Sequence, residues 1–228
     1  METPHARIIV NYTERKPMTA LTATVGTTPE GNPVEIKIDQ THLAHGIIFG
    51  RTGAGKSVAL NTFLAGLSEK HTPEEVQIVY LAGRYPTASI KALPLTTRVF
   101  NLEDDRQKAA EYLQNIFRER MASPTDDAPS IIVVVEDPTP DLSDVLRDIT
   151  SLGRSLGVHL ILVTQSTYPN SLAHDVALLF GWALAFEEPK HHSLEWVTEK
   201  IDDIPRELGV AVLSTKDSSS IVHVSNAE

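Results

Sequence analysis

Apolar positions along this chain fall into short blocks, and the spacing inside each block predicts an element. Leu21-Thr22-Ala23-Thr24-Val25 and Val34-Glu35-Ile36-Lys37-Ile38 alternate apolar with polar, the period of a strand with one buried face. Thr28 to Pro33 between them is rich in turn formers, so the two strands read as a β-hairpin leading into the core sheet. Five further blocks are apolar at nearly every position: His45 to Phe49, Val76 to Leu81, Ile131 to Val135, Val158 to Val163 and Trp182 to Phe186. Runs of that kind suit strands buried on both faces of a parallel sheet. Arg98-Val99-Phe100 adds a short strand, and Val210 to Leu213 with Ile221 to Val224 predict a closing hairpin.

Between these blocks the apolar period lengthens to that of a helix. It does so after Val58 as far as Lys70, and from Arg106 to Met121, where Ala109, Leu113, Ile116 and Phe117 share a face. Leu142 to Leu156 and Lys190 to Lys200 predict two more helices. Asn101 to Asp105 offers carboxylates to cap the helix that follows, and Ala82 to Pro94 reads as a loop. Strands alternating with helices predict a wound α/β domain over residues 21–228, preceded by an extension over 1–20 without periodicity.

Composition narrows the function classes. Hydrophobic residues make up 41% of 228, enough for a substantial core. With no cysteine there is no disulfide and no thiolate metal site, which fits a reducing compartment. No apolar run has transmembrane length, and the N-terminal residues are polar, unlike a signal peptide. The formal net charge of −10 counts against a domain that grips nucleic acid alone, because phosphate contacts supply most of such affinity.

The chemistry concentrates in Gly50-Arg51-Thr52-Gly53-Ala54-Gly55-Lys56-Ser57, a full match to the phosphate-binding pattern G-x-x-x-x-G-K-[ST], followed by Val58. A strand precedes it and a helix follows, the context the motif requires. The glycines let successive N–H groups turn inward toward a phosphate, and the helix N-terminus adds its dipole. Lys56 is placed for the β- and γ-phosphates of a nucleoside triphosphate and the Ser57 hydroxyl for Mg²⁺. Glu136-Asp137 follows five consecutive apolar residues and is the second candidate contact to Mg²⁺. His159, inside an apolar run, reads as a hydrogen-bonded core residue. His191 and His192 are adjacent on a helix, point to different faces and are a poor chelating pair. Trp182 and Trp196 either pack in the core or, for Trp196 with Leu194 and Val197, form an exposed patch for a peptide or a neighbouring domain.

Leu152-Gly153-Arg154-Ser155-Leu156-Gly157-Val158-His159-Leu160-Ile161-Leu162-Val163-Thr164-Gln165, downstream of the phosphate loop and the acids, closely resembles the FtsK/SpoIIIE ATPases, most of all the type VII secretion ATPases EccC and EssC. Gly31 to Glu35, His71 to Val76, Leu93-Pro94 and Asn101 to Asp104 add to the likeness, which runs from about Leu21 to the C-terminus. The resemblance implies a RecA-like P-loop NTPase: a mostly parallel central sheet flanked by helices, here with an N-terminal β-hairpin. It implies that Thr164-Gln165 senses the γ-phosphate, with Glu136, Asp137 and Gln165 as the catalytic set and Ser57 and Glu136 on the metal. It leaves Arg154 as either a contact to a neighbouring subunit or an exposed helix arginine. It also implies partners: neighbouring ATPase domains or subunits of a ring, often a hexamer; a secreted helical-hairpin protein or its signal peptide; and membrane secretion machinery reached through a longer parent protein. DNA, the cargo of other branches, is the less favoured partner. The implied location is the cytoplasm, at the inner face of the membrane.

Three departures from the family's pattern carry an expectation of their own. The acids that end the family's strand are Asp then Glu, and here they are Glu136 then Asp137. The string Asp-Phe-Lys-Gly is replaced by Leu81-Ala82-Gly83-Arg84. Gly181-Trp182-Ala183-Leu184 holds no arginine where the family often places one that reaches a neighbour's nucleotide. The expectation is a domain that binds ATP and hydrolyses it slowly or not at all.

Overall fold

The computed structural model describes residues 20–39, 43–83, 88–123, 128–165, 179–187, 197 and 204–224. Its centre is one sheet of ten strands: β1 (Leu21–Thr27), β2 (Pro33–Ile38), β3 (Gly46–Phe49), β4 (Val76–Ala82), β5 (Thr96–Asn101), β6 (Ser130–Glu136), β7 (Val158–Thr164), β8 (Trp182–Ala185), β9 (Val210–Thr215) and β10 (Ser219–His223). Their order is β2-β1-β10-β9-β8-β3-β7-β6-β4-β5. From β8 to β5 every pairing is parallel, and from β8 to β2 every pairing is antiparallel. The predicted N-terminal hairpin therefore joins the predicted closing hairpin edge to edge, and both extend the parallel core.

The parallel strands are apolar throughout because each face meets its own core. Ile48, Ile78, Tyr80, Ile132, Val134, Ile161 and Val163 point to one side, toward Leu60, Phe63, Leu64 and Leu67 of α1 (Lys56–Lys70). Ile47, Phe49, Val79, Leu81, Val133, Val135, Leu160 and Leu162 point to the other, toward Ala109, Leu113 and Phe117 of α3 (Arg106–Ala122) and Val145, Leu146 and Ile149 beyond it. Ile116 is only partly buried at the margin of that face. Gly46 lies under the indole of Trp182, where a Cβ would come within 1.9 Å of the ring, so the tryptophan belongs to the core.

Three local readings change. A short helix, α2 (Ala88–Ala92), interrupts the segment expected to be loop, and the strand expected at Arg98 begins earlier, at Thr96. The carboxylate cap before α3 does not form: Asp105 stands at the helix start without a side-chain bond to the helix backbone, its Oδ1 taken by Lys108 Nζ at 2.7 Å. The helix expected over 142–156 is broken into α4 (Ser143–Asp148), a π-helical turn over Ile149–Gly153 and α5 (Arg154–Leu156). There the Thr150 hydroxyl donates to the carbonyls of Leu146 at 2.9 Å and Arg147 at 3.0 Å, a back-bond that bends helices. The helix expected over Lys190 to Lys200, with His191, His192 and Trp196, lies outside the described residues apart from Val197.

His159 is a core residue as expected. Its Nδ1 lies 3.1 Å from the Ala44 carbonyl, so it donates there. His45 beside it accepts the Leu160 N–H on Nδ1 at 3.0 Å, which puts its proton on the buried, unpartnered Nε2. Burial pushes His45 down to about 3 and His159 down to about 4. Both are neutral at pH 7.

Candidate functional site

The phosphate loop is shaped by what surrounds it. Gly50, Gly53 and Gly55 have φ of 152°, 79° and 122°, which side-chain-bearing residues avoid. Phe186, just past β8, presses on the loop so closely that a Cβ on Gly50 would sit 2.6 Å from its Cβ, and one on Gly55 3.0 Å from its ring. Backbone bonds fix the loop on three sides: Gly50 N–H to Thr164 O at 3.3 Å, Phe186 N–H to Phe49 O at 3.0 Å, and Gly209 N–H to Ala54 O at 3.1 Å. Ala54 is buried as the floor of the loop, Arg51 is exposed, and Val58 is half-buried in the first turn of α1. These three contribute backbone to the site rather than side chains. Lys56 Nζ donates to the carbonyls of Gly50 at 2.7 Å and Arg51 at 3.0 Å, so its charge is held inside the loop. Burial lowers its pKa, against the pull of Asp137, Glu187 and Glu136.

Strand order brings the remaining residues to the same place. β7 lies between β3 and β6, so Gln165 at its end stands between the loop and the acids. The Thr52 hydroxyl donates to Gln165 Oε1 at 2.8 Å, leaving the Gln165 amide hydrogens for a ligand. Gln165 N–H donates to Asp137 Oδ1 at 3.3 Å, and Asp137 N–H to Val163 O at 2.8 Å. Asp137 takes φ 43°, the only positive value of a non-glycine residue among those described. That turn brings its side chain back into the cleft. Glu136 accepts hydrogen bonds from the Tyr80 hydroxyl and the Gly83 N–H. Burial pushes its carboxyl up, and these two bonds work against that shift.

The resulting cleft holds about 680 Å³ and is lined by Thr52, Lys56, Ser57, Glu136, Asp137 and Gln165, together with Tyr80 and Gly83. That volume lies in the range of small-molecule sites. The Ser57 hydroxyl and the two carboxylates supply hard oxygen donors to the cleft lining. Mg²⁺ uses one or two protein oxygens and takes the rest from phosphate and water, so the donor set fits Mg²⁺.

Residues 7–124, over half of the chain, match the FtsK/SpoIIIE family. The chain belongs to the FtsK/SpoIIIE family. The matched span contains the phosphate loop and stops before Glu136, so the acids of this FtsK/SpoIIIE chain are known from their placement alone. Among relatives, the ESX secretion system protein EccC of Thermomonospora curvata is 28% identical over 178 residues, 62% of this chain and 14% of that protein. The DNA translocase SftA of Bacillus subtilis is 24% identical over 240 residues, 91% of this chain and 22% of that protein. The chain thus spans under a quarter of the length of either. Among solved structures, Thermomonospora curvata EccC (ATPases 2 and 3) in complex with a signal sequence peptide superposes with TM-score 0.66 at 17% identity, over 91% of this chain and 41% of that one. At that identity the likeness shows the fold: a mixed α/β P-loop ATPase architecture.

Two features of the FtsK/SpoIIIE chain's site have no counterpart in the motif reading. Tyr80 is a lone phenol in an aliphatic strand, opposite Val134 and two residues short of Glu136 across the sheet, and that is the signal that marks it. Phe186, just past β8, and Gly209, just before β9, support the loop, and no local pattern announces them. Trp182 is buried at the start of β8, where the family often places an arginine. Arg154 is exposed and near enough to His45 to influence it. Among the described residues no helix is long and apolar enough to cross a membrane.

Proposed function

We propose that this chain is an ATP-binding domain of a type VII secretion motor of the EccC/EssC kind, with weak or absent hydrolysis. The observation that carries the reading is the state of the two acids. Asp137, at the position where the family has the water-polarising Glu, is a methylene shorter and spends one oxygen on the Gln165 N–H. Glu136, where the family has Asp, is tied to Tyr80 and Gly83. The binding half of the machinery is intact beside them: the glycine loop, Lys56, Ser57 and a Gln165 amide turned to the cleft.

In this reading the loop N–H groups and Lys56 hold the β- and γ-phosphates, and Gln165 contacts the γ-phosphate. Ser57 and Glu136 would hold Mg²⁺, whose charge would offset that of the phosphates. Asp137 orients the attacking water poorly, and no arginine from the start of β8 completes the charge stabilisation in a neighbouring site. The domain then works as one member of a ring or tandem set, its bound ATP bracing an interface while another domain turns over. Its cargo is a small helical protein recognised through a signal peptide. It acts on the cytoplasmic side, at the membrane, through a parent protein with further domains.

A DNA-translocating role is the second reading, favoured by the SftA likeness that spans 91% of this chain. The net charge of −10 favours secretion. Calorimetry with Mg-ATP followed by phosphate release from the same sample tests the proposal. Binding that is lost in Lys56→Ala, with no release above that variant, is the expected result. Steady release would overturn the weak-hydrolysis reading, and stimulation of that release by double-stranded DNA would favour translocation.

A further inference from the structure

β4 and β6 pair in parallel, with Tyr80 opposite Val134 and Leu81 opposite Val135. Tyr80 and Val134 face the α1 side of the sheet. Glu136 follows Val134 by two residues, so it leaves the sheet on that same face. The phenol is long enough to run along the face from the level of Val134 to the level of Glu136, and its hydroxyl reaches the carboxylate. The ring itself is buried against the core, 1% exposed, which fixes where the hydroxyl points.

The second contact comes from the end of β4. The ladder to β5 ends at Ala82, whose carbonyl accepts the Leu102 N–H at 2.8 Å. The next residue, Gly83, is past the ladder and gives its N–H to Glu136. It lies so near that a Cβ would come 3.3 Å from the Glu136 carbonyl and 3.7 Å from the Asp137 Cβ. This is the stretch where the family's charged string is replaced by Leu81-Ala82-Gly83-Arg84. The departures at β4 and at the acid pair thus meet in space.

We propose that Tyr80 is a positioning residue for the divalent-cation site: its hydroxyl, with the Gly83 N–H, fixes the Glu136 carboxylate at the cleft wall. The proposal rests on the reading of Glu136 as a cation ligand. A glutamate has one more rotatable bond than an aspartate, and ordering it costs more side-chain entropy. One donor from a buried strand residue and one from the backbone just past that strand remove that freedom in advance. A carboxylate has about four lone-pair positions, so two donors leave the others for a cation. Partners of this kind, one step behind a metal ligand, set metal affinity by 10–100-fold in well-studied sites.

The test is the Mg²⁺ dependence of ATP binding in the whole chain, by calorimetry at fixed ATP and by melting temperature. In Tyr80→Phe the Mg²⁺ concentration for half-maximal effect should rise about 10-fold. ATP affinity in EDTA and the melting temperature without ligand should stay near wild type. In a Glu136→Gln background, which removes the cation's charge partner, Tyr80→Phe should change the Mg²⁺ dependence no further. An unchanged Mg²⁺ dependence in Tyr80→Phe overturns the proposal, as does an equal loss of affinity with and without Mg²⁺, which marks a packing role. If Tyr80→Phe does not fold, Tyr80→Met is measured in the same way with the same expectations. A wild-type chain that binds no ATP removes the functional reading itself. A wild-type chain that binds Mg-ATP and a Tyr80 variant that binds it equally well leave that reading standing and remove this one.

Discussion

Exchanging the two acids tests whether their order holds hydrolysis back. In Glu136→Asp/Asp137→Glu one carboxylate retreats by a methylene and its neighbour advances by one. Each displacement is on the order of 1 Å, and a misplacement of about 1 Å at a reacting centre costs on the order of 100-fold in rate. Phosphate release should therefore rise about 100-fold if the order of the acids is the limiting defect. The exchange also has a cost in stability. Position 137 has φ 43°, a region that aspartate enters more readily than glutamate. The side-chain bond to the Gln165 N–H is lost as well, at about 1 kcal/mol. Strain and lost bond together come to about 2 kcal/mol, which lowers the melting temperature of a chain this size by about 4–8 °C. The expected variant hydrolyses faster and melts earlier. Release is measured at saturating Mg-ATP with Lys56→Ala as the blank, and binding by calorimetry on the same sample. A double variant that binds ATP like the wild type and releases phosphate no faster refutes the reasoning, and places the defect in the missing arginine or in the absence of a partner domain.

Two further substitutions separate the loop's shape from its chemistry. Gly50→Ala meets Phe186 at 2.6 Å with φ 152°, so the loop must move and ATP affinity should fall at least about 10-fold; Gly53→Ala, with φ 79° and nothing within 4 Å, should only lose about 1 kcal/mol of stability. Titration of ATP into both variants checks this, and equal affinities would show that Phe186 does not set the loop. Acid should destabilise the chain through its buried histidines. The native pKa values of about 3 for His45 and about 4 for His159 lie below the unfolded value of 6.5, so the unfolded chain takes up protons first as pH falls. Their contribution is present above pH 6.5 and is lost as pH drops toward their native values, by about 2 kcal/mol per histidine between pH 7 and pH 5. Glu136, whose carboxyl is pushed up, works in the opposite direction. Urea midpoints at the two pH values measure the difference, and a loss under about 1 kcal/mol in total would contradict neutral burial of the pair.

The parallel core was legible because its physics is local. β6 and β7 are apolar at every position because both faces of the sheet are covered, and that shows as an unbroken run in Ile131 to Val135 and Val158 to Val163. The two hairpins were legible from alternation and from their turns. What the sequence could not show was that β1 pairs with β10, because the partners are nearly 200 residues apart and nothing in either strand specifies the other. The break in the helix over 142–156 was hidden for a different reason. Its apolar spacing is that of an ordinary helix, and the π-helical turn is tied to Thr150 back-bonding and to Gly153, where a Cβ would come 2.4 Å from the Val158 carbonyl.

The site divides along the same line. The loop was legible in full because glycine spacing and the lysine–serine pair are dictated by the phosphate itself. The reversed acids are visible in the sequence too, but side-chain length alone describes their consequence only if the strand end is the same in every member of the family. Asp137 turns through positive φ to cap the Gln165 N–H, and Gln165 in turn accepts from Thr52. Asp137, Gln165 and Thr52 of the loop are therefore one hydrogen-bonded chain, and Glu136 belongs to a second group with Tyr80 and Gly83. A site whose two acids are each committed to a different support resists repair by a single substitution. Asp137→Glu alone should leave turnover low, since it breaks the first chain and leaves Glu136 in the second unchanged. That is why the exchange must be made at both positions before the order of the acids can be judged.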